Sequence, residues 1–263
     1  MRIAVLADIH GNLPALRAVL ADVDRDAVDA IVVGGDVVAG PLVRETLELL
    51  AARPEPVHWV RGNSEPDAVA AYDGVPGSDD PAGRAAAWSA GALDQRWRDE
   101  LAAWPISLEL GGVRFCHGSP RRDDEILIRL TPDQALGDAV GATAERLVLG
   151  GHTHQQMVRR LGDMGSTCAN AGSVGMPYEG PPGAFWMLVD DGEPVLRETG
   201  YDDLQEPLAE LQASGSADVE DQLVDSLLEP ADPDLLAAFF GRGAGRGEPN
   251  QPDNQADGTA GSG

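Results

Sequence analysis

The chain has 263 residues, of which 43% are apolar, 24% charged and 5% aromatic, enough for one large domain or two small ones with a proper core. Nineteen basic residues, all arginine, face 44 acidic ones for a formal charge of −25, which argues against nucleic-acid wrapping and against docking on anionic membranes. The longest apolar run, residues 30–43, is broken by Gly34, Gly35, Asp36 and Pro41 and falls short of the roughly 20 apolar residues that a membrane span needs.

The N-terminal MRIAVLADIHGN enters a strand-like run at residues 2–7 with no secretory h-region, so the expected location is the cytoplasm. Asn12 then reads as a helix N-cap, with Pro14 near the first helical position and Leu13, Leu16, Val19, Leu20 and Val23 on one face. A second strand is predicted over 30–34, a helix over 42–52 entered by Pro41, and a third strand over 57–60. A stretch rich in Gly, Pro and Asp follows at 72–84, then a helix over 85–102 carrying Trp88, Leu93, Trp97 and Leu101. Further strands are predicted at 106–110, 113–116, 146–149, 167–169, 185–189 and 194–198. Cys116 and Cys168 lie in these apolar runs and read as buried free thiols. Helices thin out late in the chain while strand-turn-strand patterns take over. This predicts an α/β fold of two mixed β-sheets packed as a sandwich and flanked by helices.

Composition shifts near residue 200. The last 63 positions hold fourteen acidic residues and two arginines, with Leu204, Leu208 and Leu211 and then Val219, Leu223, Val224, Leu227 and Leu228 at helical spacing. The predicted organisation is a main domain over 1–200, an acidic helical extension over 201–241 and a disordered tail over 242–263. That tail has no Val, Ile, Leu, Met or aromatic residue to offset the entropy of ordering it.

Of five histidines, four sit in compact polar motifs at predicted strand ends, where open α/β sheets bind ligands; His58 lies inside a strand and reads as packing. Asp8 and His10 lie in Asp-Ile-His-Gly-Asn, Asp36 in Gly-Gly-Asp and Asn63 in Arg-Gly-Asn-Ser-Glu. His117 lies in His-Gly-Ser-Pro, and His152 and His154 in Gly-His-Thr-His. Three carboxylate or amide oxygens and four imidazoles suit Mn²⁺, Fe, Zn²⁺, Co²⁺ or Ni²⁺, and seven ligands are too many for one catalytic ion with an open position. They suit two divalent ions, whose chemistry is phosphoester hydrolysis by a metal-bridging hydroxide.

The ordered series DxH, GD, GN, HG and GHTH resembles the calcineurin-like metallophosphoesterase superfamily, and Asn170 to Pro177, NAGSVGMP, resembles its small bacterial and archaeal phosphodiesterase branch. The resemblance covers roughly residues 1–200. It implies a four-layer α/β/β/α fold, one ion on Asp8, His10, Asp36 and His154, and a second on Asp36 (bridging), Asn63, His117 and His152, with Mn²⁺ the expected metal. Its implied substrate is a small-molecule phosphodiester, with a dinucleoside polyphosphate, a phosphoprotein or a monoester as alternatives. Ser64 occupies the position where many members place a proton-donating His, so turnover is expected to favour good leaving groups, diesters and anhydrides over unactivated monoesters. The same departure leaves open a non-catalytic metal-binding scaffold. Asn12 and Arg121 are candidate substrate contacts, Arg121 with Arg122 as a phosphate clamp, although Asn12 also reads as a cap and the arginines as partners of Asp123 and Asp124. The sequence leaves the oligomeric state open.

Overall fold

In the computed structural model the described residues are 1–216 apart from 142, 163, 164 and 202, together with 232, 234–236 and 238. The first sheet is built by β1 (Arg2–Leu6), β2 (Ala30–Val33), β3 (Val57–Trp59), β9 (Ala184–Asp190) and β10 (Glu193–Thr199), in the order β10-β9-β1-β2-β3. β1, β2 and β3 are parallel, and the β9–β10 hairpin adds antiparallel to β1. The second sheet has the order β4-β5-β6-β8-β7, from β4 (Ser107–Leu110), β5 (Val113–Cys116), β6 (Leu147–Gly150), β7 (Met157–Leu161) and β8 (Ser166–Asn170). Here β5, β6 and β8 are parallel while β4 and β7 close the edges antiparallel. Both sheets are therefore mixed, as the sequence pattern predicts.

Strand periodicity sorts the side chains into layers. Ile3, Val5 and Ala7 face Val113, Phe115, Leu147 and Leu149 in the core between the sheets. Ala4 and Leu6 point the other way, onto α1 (Leu13–Asp26), α2 (Val43–Ala51) and α5 (Gln95–Ala103). On the far side Cys116, Val148 and Cys168 pack against α6 (Asp133–Val140). The result is helices, sheet, sheet, helix. Both cysteines are free and buried.

Five elements depart from the sequence reading. The helix predicted over 85–102 is two helices, α4 (Pro81–Ala92) and α5, because Leu93 is extended and Asp94 caps a new start by accepting from the Trp97 amide. α4 also begins earlier, inside the predicted loop, with Asp80 accepting from the Gly83 amide and Pro81 in the first turn. α3 (Ser64–Tyr72), α6 and β7 were not anticipated; α3 and α6 are short, and β7 is an edge strand with Arg159 and Arg160 at its centre. After β10, α7 (Gln205–Gln212) begins the acidic extension. The helical spacing around 219–228 and the predicted tail over 242–263 lie outside the described residues. No helix among the described residues is long and apolar enough to cross a membrane.

The layering predicts which side chains carry stability. Phe115→Ala, which empties a fully buried position between the sheets, should lower the unfolding free energy by about 3–5 kcal/mol. Leu196→Ala on β10, 47% exposed, should cost less than about 1 kcal/mol by the area it removes from the protein. Urea midpoints with an unchanged m-value would check both.

Candidate metal centre

The candidate ligands converge because every loop bearing one leaves the C-terminal end of a parallel strand. Asp8 and His10 follow β1, Asp36 follows β2 and Asn63 follows β3; His117 follows β5, and His152 and His154 follow β6. The structure brings six of the seven into two groups, Asp8–His10–His154 and Asp36–His117–His152, each with its ligand atoms within 4.8 Å of one another. Each group takes residues from both sheets. The groups adjoin: Asp36 Oδ2 lies 3.4 Å from His117 Nε2 and 3.9 Å from His10 Nε2. Asp8 Oδ1 lies 3.3 Å from His154 Nε2 and 3.8 Å from His117 Nε2.

The histidine rings are held from behind. Nδ1 of His117 faces the Gly34 carbonyl at 2.8 Å, that of His154 the Met176 carbonyl at 2.6 Å and that of His10 the Ala39 carbonyl at 3.3 Å. Donation to a carbonyl puts a proton on Nδ1 and turns Nε2 toward the carboxylates, the orientation that metal-ligating imidazoles use. The donors also fit an ion by what they lack. His117 Nε2 and Asn63 Oδ1 are buried without a hydrogen-bond partner, and Asn63, although it stands at the N-cap of α3, makes no capping bond with its side chain. A buried polar atom left so is costly unless a ligand completes it.

The charges are tightly set. Burial would raise the Asp8 carboxyl, but His154 and His117 outweigh it and hold it below the usual range. Burial likewise opposes ionisation of Asp36, yet His117, His10 and the Ser64 amide hold it well below that range. His117 is pushed up to about 10, since Asp36 and Asp8 overcome its burial, whereas burial and His117 together push His152 down to about 4. Two ionised carboxylates thus face Nε2 atoms at 3.3–3.9 Å. Such a mixed oxygen and nitrogen donor set is suited to divalent transition metals.

Two supporting residues were not singled out from the sequence. Glu65, fully buried, accepts the amides of Asp36, Val37 and Gly62 at 2.6–3.1 Å and so ties the Asp36 loop to the Asn63 loop. Burial and the neighbouring Asp36 raise its carboxyl to about 7. The signal was present in Arg-Gly-Asn-Ser-Glu, but a carboxylate on a first helical turn ordinarily reads as a dipole partner. Tyr178 stacks on His154, ring centroids 4.8 Å apart. Its signal lay beside NAGSVGMP.

The candidate substrate contacts lie otherwise engaged. Asn12 is buried, accepts from the Ala15 amide as the cap of α1, and donates to the Gly175 carbonyl at 2.8 Å. Arg121 forks onto Glu125, and Arg122 onto Asp124. Ser64 is buried at the first position of α3, its amide bonded to Asp36 Oδ1 at 2.9 Å.

Comparison with known proteins gives a consistent relationship. The family model described as the calcineurin-like phosphoesterase superfamily domain matches residues 1–192. A solved metallophosphoesterase from Sphaerobacter thermophilus is 26% identical, with a TM-score of 0.69 over 85% of this chain and 98% of that one. A hypothetical protein from Pyrococcus horikoshii OT3 is 20% identical, with a TM-score of 0.74 over 88% of this chain and 99% of that one, a likeness of fold. No curated protein matches the chain in sequence.

The geometry makes Gly62 a direct test of the centre. A Cβ there would stand 2.2 Å from Asp36 Oδ1 and 2.5 Å from the Asp36 amide, so Gly62→Ala must displace that carboxylate. Metal affinity should fall at least about tenfold, as when the support of a ligand is removed. Gly91→Ala, in α4 with nothing within 4 Å of the added Cβ, should leave metal content unchanged and gain about 0.5–1 kcal/mol of stability. Metal analysis after dialysis, together with thermal unfolding, checks both variants.

Proposed function

The chain belongs to the calcineurin-like phosphoesterase superfamily and is a phosphoric ester hydrolase; from that premise we propose that it is a phosphodiesterase acting on a small-molecule diester with two divalent ions. The observation that carries the reading is the pair of adjoining donor groups with Asp36 between them, 3.4 Å from His117 and 3.9 Å from His10. Asp8, His10, Asp36 and His154 would hold one ion, and Asp36, Asn63, His117 and His152 the other. When bound, such a pair supplies Lewis acidity to a phosphoryl oxygen and activates water near neutral pH.

The chain's own residues bias the choice of ester. Ser64 offers a hydroxyl in place of an imidazolium, and a hydroxyl is a poor acid at neutral pH, so the departing alcohol receives little proton help from this position. Esters whose leaving group needs no proton are favoured. The arginines around the centre are already paired: Arg61 with Asp123 at 2.9 Å, Arg121 with Glu125 and Arg122 with Asp124. Asp67, one turn along α3 from Asn63, is raised by burial and by the charges of Asp36, Asp123 and Asp80. These three guanidinium groups are thus already engaged and lend less to the extra charges of a polyphosphate, and the single charge of a diester suits them better.

Metal-stripped protein resupplied separately with Mn²⁺, Zn²⁺, Ni²⁺ and Mg²⁺ should hydrolyse an activated phosphodiester, with Mn²⁺ among the effective ions, and Asp36→Asn or His117→Ala should abolish that turnover. A dinucleoside polyphosphate should be the poorer substrate at low salt. Ions bound without turnover of any ester would replace this reading with a metal-binding scaffold.

The missing acid gives a separate test. Ser64→His should raise kcat on an activated-to-unactivated monoester series most at the unactivated end, by at least about tenfold, since a placed general acid contributes 10²–10⁴-fold at full effect. An unchanged slope would mean that another group already protonates the alcohol.

A further inference from the structure

α7 lies beyond the family-matched span of 1–192, yet it packs on residues that hydrogen-bond to the loops of one donor group. Leu211 of α7 is fully buried in a cluster with Leu42, Met176, Tyr201 and Leu208. The helix is also pinned from outside, where Arg17 on α1 bonds both carboxylate oxygens of Glu210 at 2.8 Å.

Two of the three non-helical partners of Leu211 in that cluster, Met176 and Leu42, lead to ligands. The Met176 carbonyl is the acceptor for His154 Nδ1 at 2.6 Å, and the Met176 amide donates to Ser173 Oγ, which donates to the Asp8 carbonyl at 2.7 Å. The Leu42 amide donates to the carbonyl of Gly11, the neighbour of His10, at 3.1 Å. Among the described residues the cluster contains none from the loops that carry Asn63 or His117; it reaches the shared His152–His154 loop through the His154 ring, and Leu42, which ends the Asp36 segment, bonds to the His10 side.

We infer that α7 is a positioning element for the Asp8–His10–His154 half of the centre, with Leu211 seating Met176 so that its carbonyl fixes the His154 ring. The inference rests on the two-ion reading above. It gives the start of the C-terminal extension a defined effect: it tightens one ion and leaves the other alone. Supporting partners of this kind change metal affinity by 10–100-fold when removed.

The test is a titration of metal-stripped full-length protein with Co²⁺ against a competing chelator, following the visible absorption of bound Co²⁺ and resolving two dissociation constants. Leu211→Ala should weaken one ion by about tenfold and shift the other less than about twofold, and Leu211→Met, which refills the volume, should restore both. Leu136→Ala makes a comparable hole on α6, behind the second sheet, and should lower Tm without moving either constant. Arg17→Gln loosens the same helix from the surface and should shift the same constant in the same direction. In a His10→Ala background, Leu211→Ala should not alter the remaining constant. Both constants shifting together, or neither shifting while Tm falls, would overturn the inference. Wild-type protein that takes up no ion would overturn the two-ion reading, and this inference with it.

Discussion

The centre depends on backbone that side chains ordinarily avoid. Asp8, His10, Asp36, His152 and His154 all have positive φ, between 48° and 71°. In this left-handed region a non-glycine residue costs about 1–3 kcal/mol and persists only where its surroundings hold it. Here the loops hold one another. The Asp8 amide donates to Gly35, that of His10 to Asp36 and that of Gly11 to Val37, a ladder that zips the first polar loop to the second at 2.9–3.0 Å. The third segment closes from the other side: the Gly175 amide donates to the Asp8 carbonyl, and a Cβ at Gly175 would stand 1.8 Å from the Ile9 carbonyl oxygen. The strain is thus shared by a set of loops that cannot relax separately.

Glu65 does for the Asp36 loop what this ladder does for Asp8. Its carboxylate gathers three amides, of Asp36, Val37 and Gly62, so Asp36 is gripped through its own backbone while its Oδ1 accepts from Ser64. These bonds are strongest with the carboxylate ionised, which the amide dipoles favour, whereas burial and the neighbouring Asp36 oppose ionisation and raise Glu65 to about 7. The carboxylate that stands between the donor groups is therefore supported by a second one, which holds it through its backbone amide.

Much of this was legible in the sequence for a simple physical reason. A parallel strand buried on both faces reads as a continuous apolar run, so polar clusters such as Asp-Ile-His or Gly-His-Thr-His stand out where the run stops. The order of strands and the convergence of Asp8, His10, Asp36, His117, His152 and His154 follow from that contrast. α3, α6 and β7 do not show it. β7 alternates only partly, with arginines on a sheet edge, and α6 carries Gly137 in its middle. The division at Leu93 and Asp94 was hidden because apolar spacing runs across it, and only the cap chemistry of Asp94 marks the break. Arg121 and Arg122 could be read as a phosphate clamp or as partners of Asp123 and Asp124; Arg122 does take Asp124, while Arg121 takes Glu125, a partner four residues along the chain.

The two donor groups exist only while the sheets are packed together. The first sheet supplies Asp8, His10 and Asp36, the second His117, His152 and His154, and neither sheet alone completes a three-ligand group. The spacing between Asp8 and His154 is thus set by the core that separates the sheets, by Val5 and Ala7 on one side and Phe115 and Leu149 on the other. The His152 amide spans the same seam to the Asp8 carboxylate at 2.9 Å, fixing by a directional bond what the apolar core fixes by volume. Interiors packed at crystal-like density deform little, so a sandwich core is a means of holding oxygen and nitrogen donors from distant parts of a chain at constant separation. That accounts for placing the chemistry at the seam between sheets: each strand end has to fix only its own loop, and the packing of the layers does the rest.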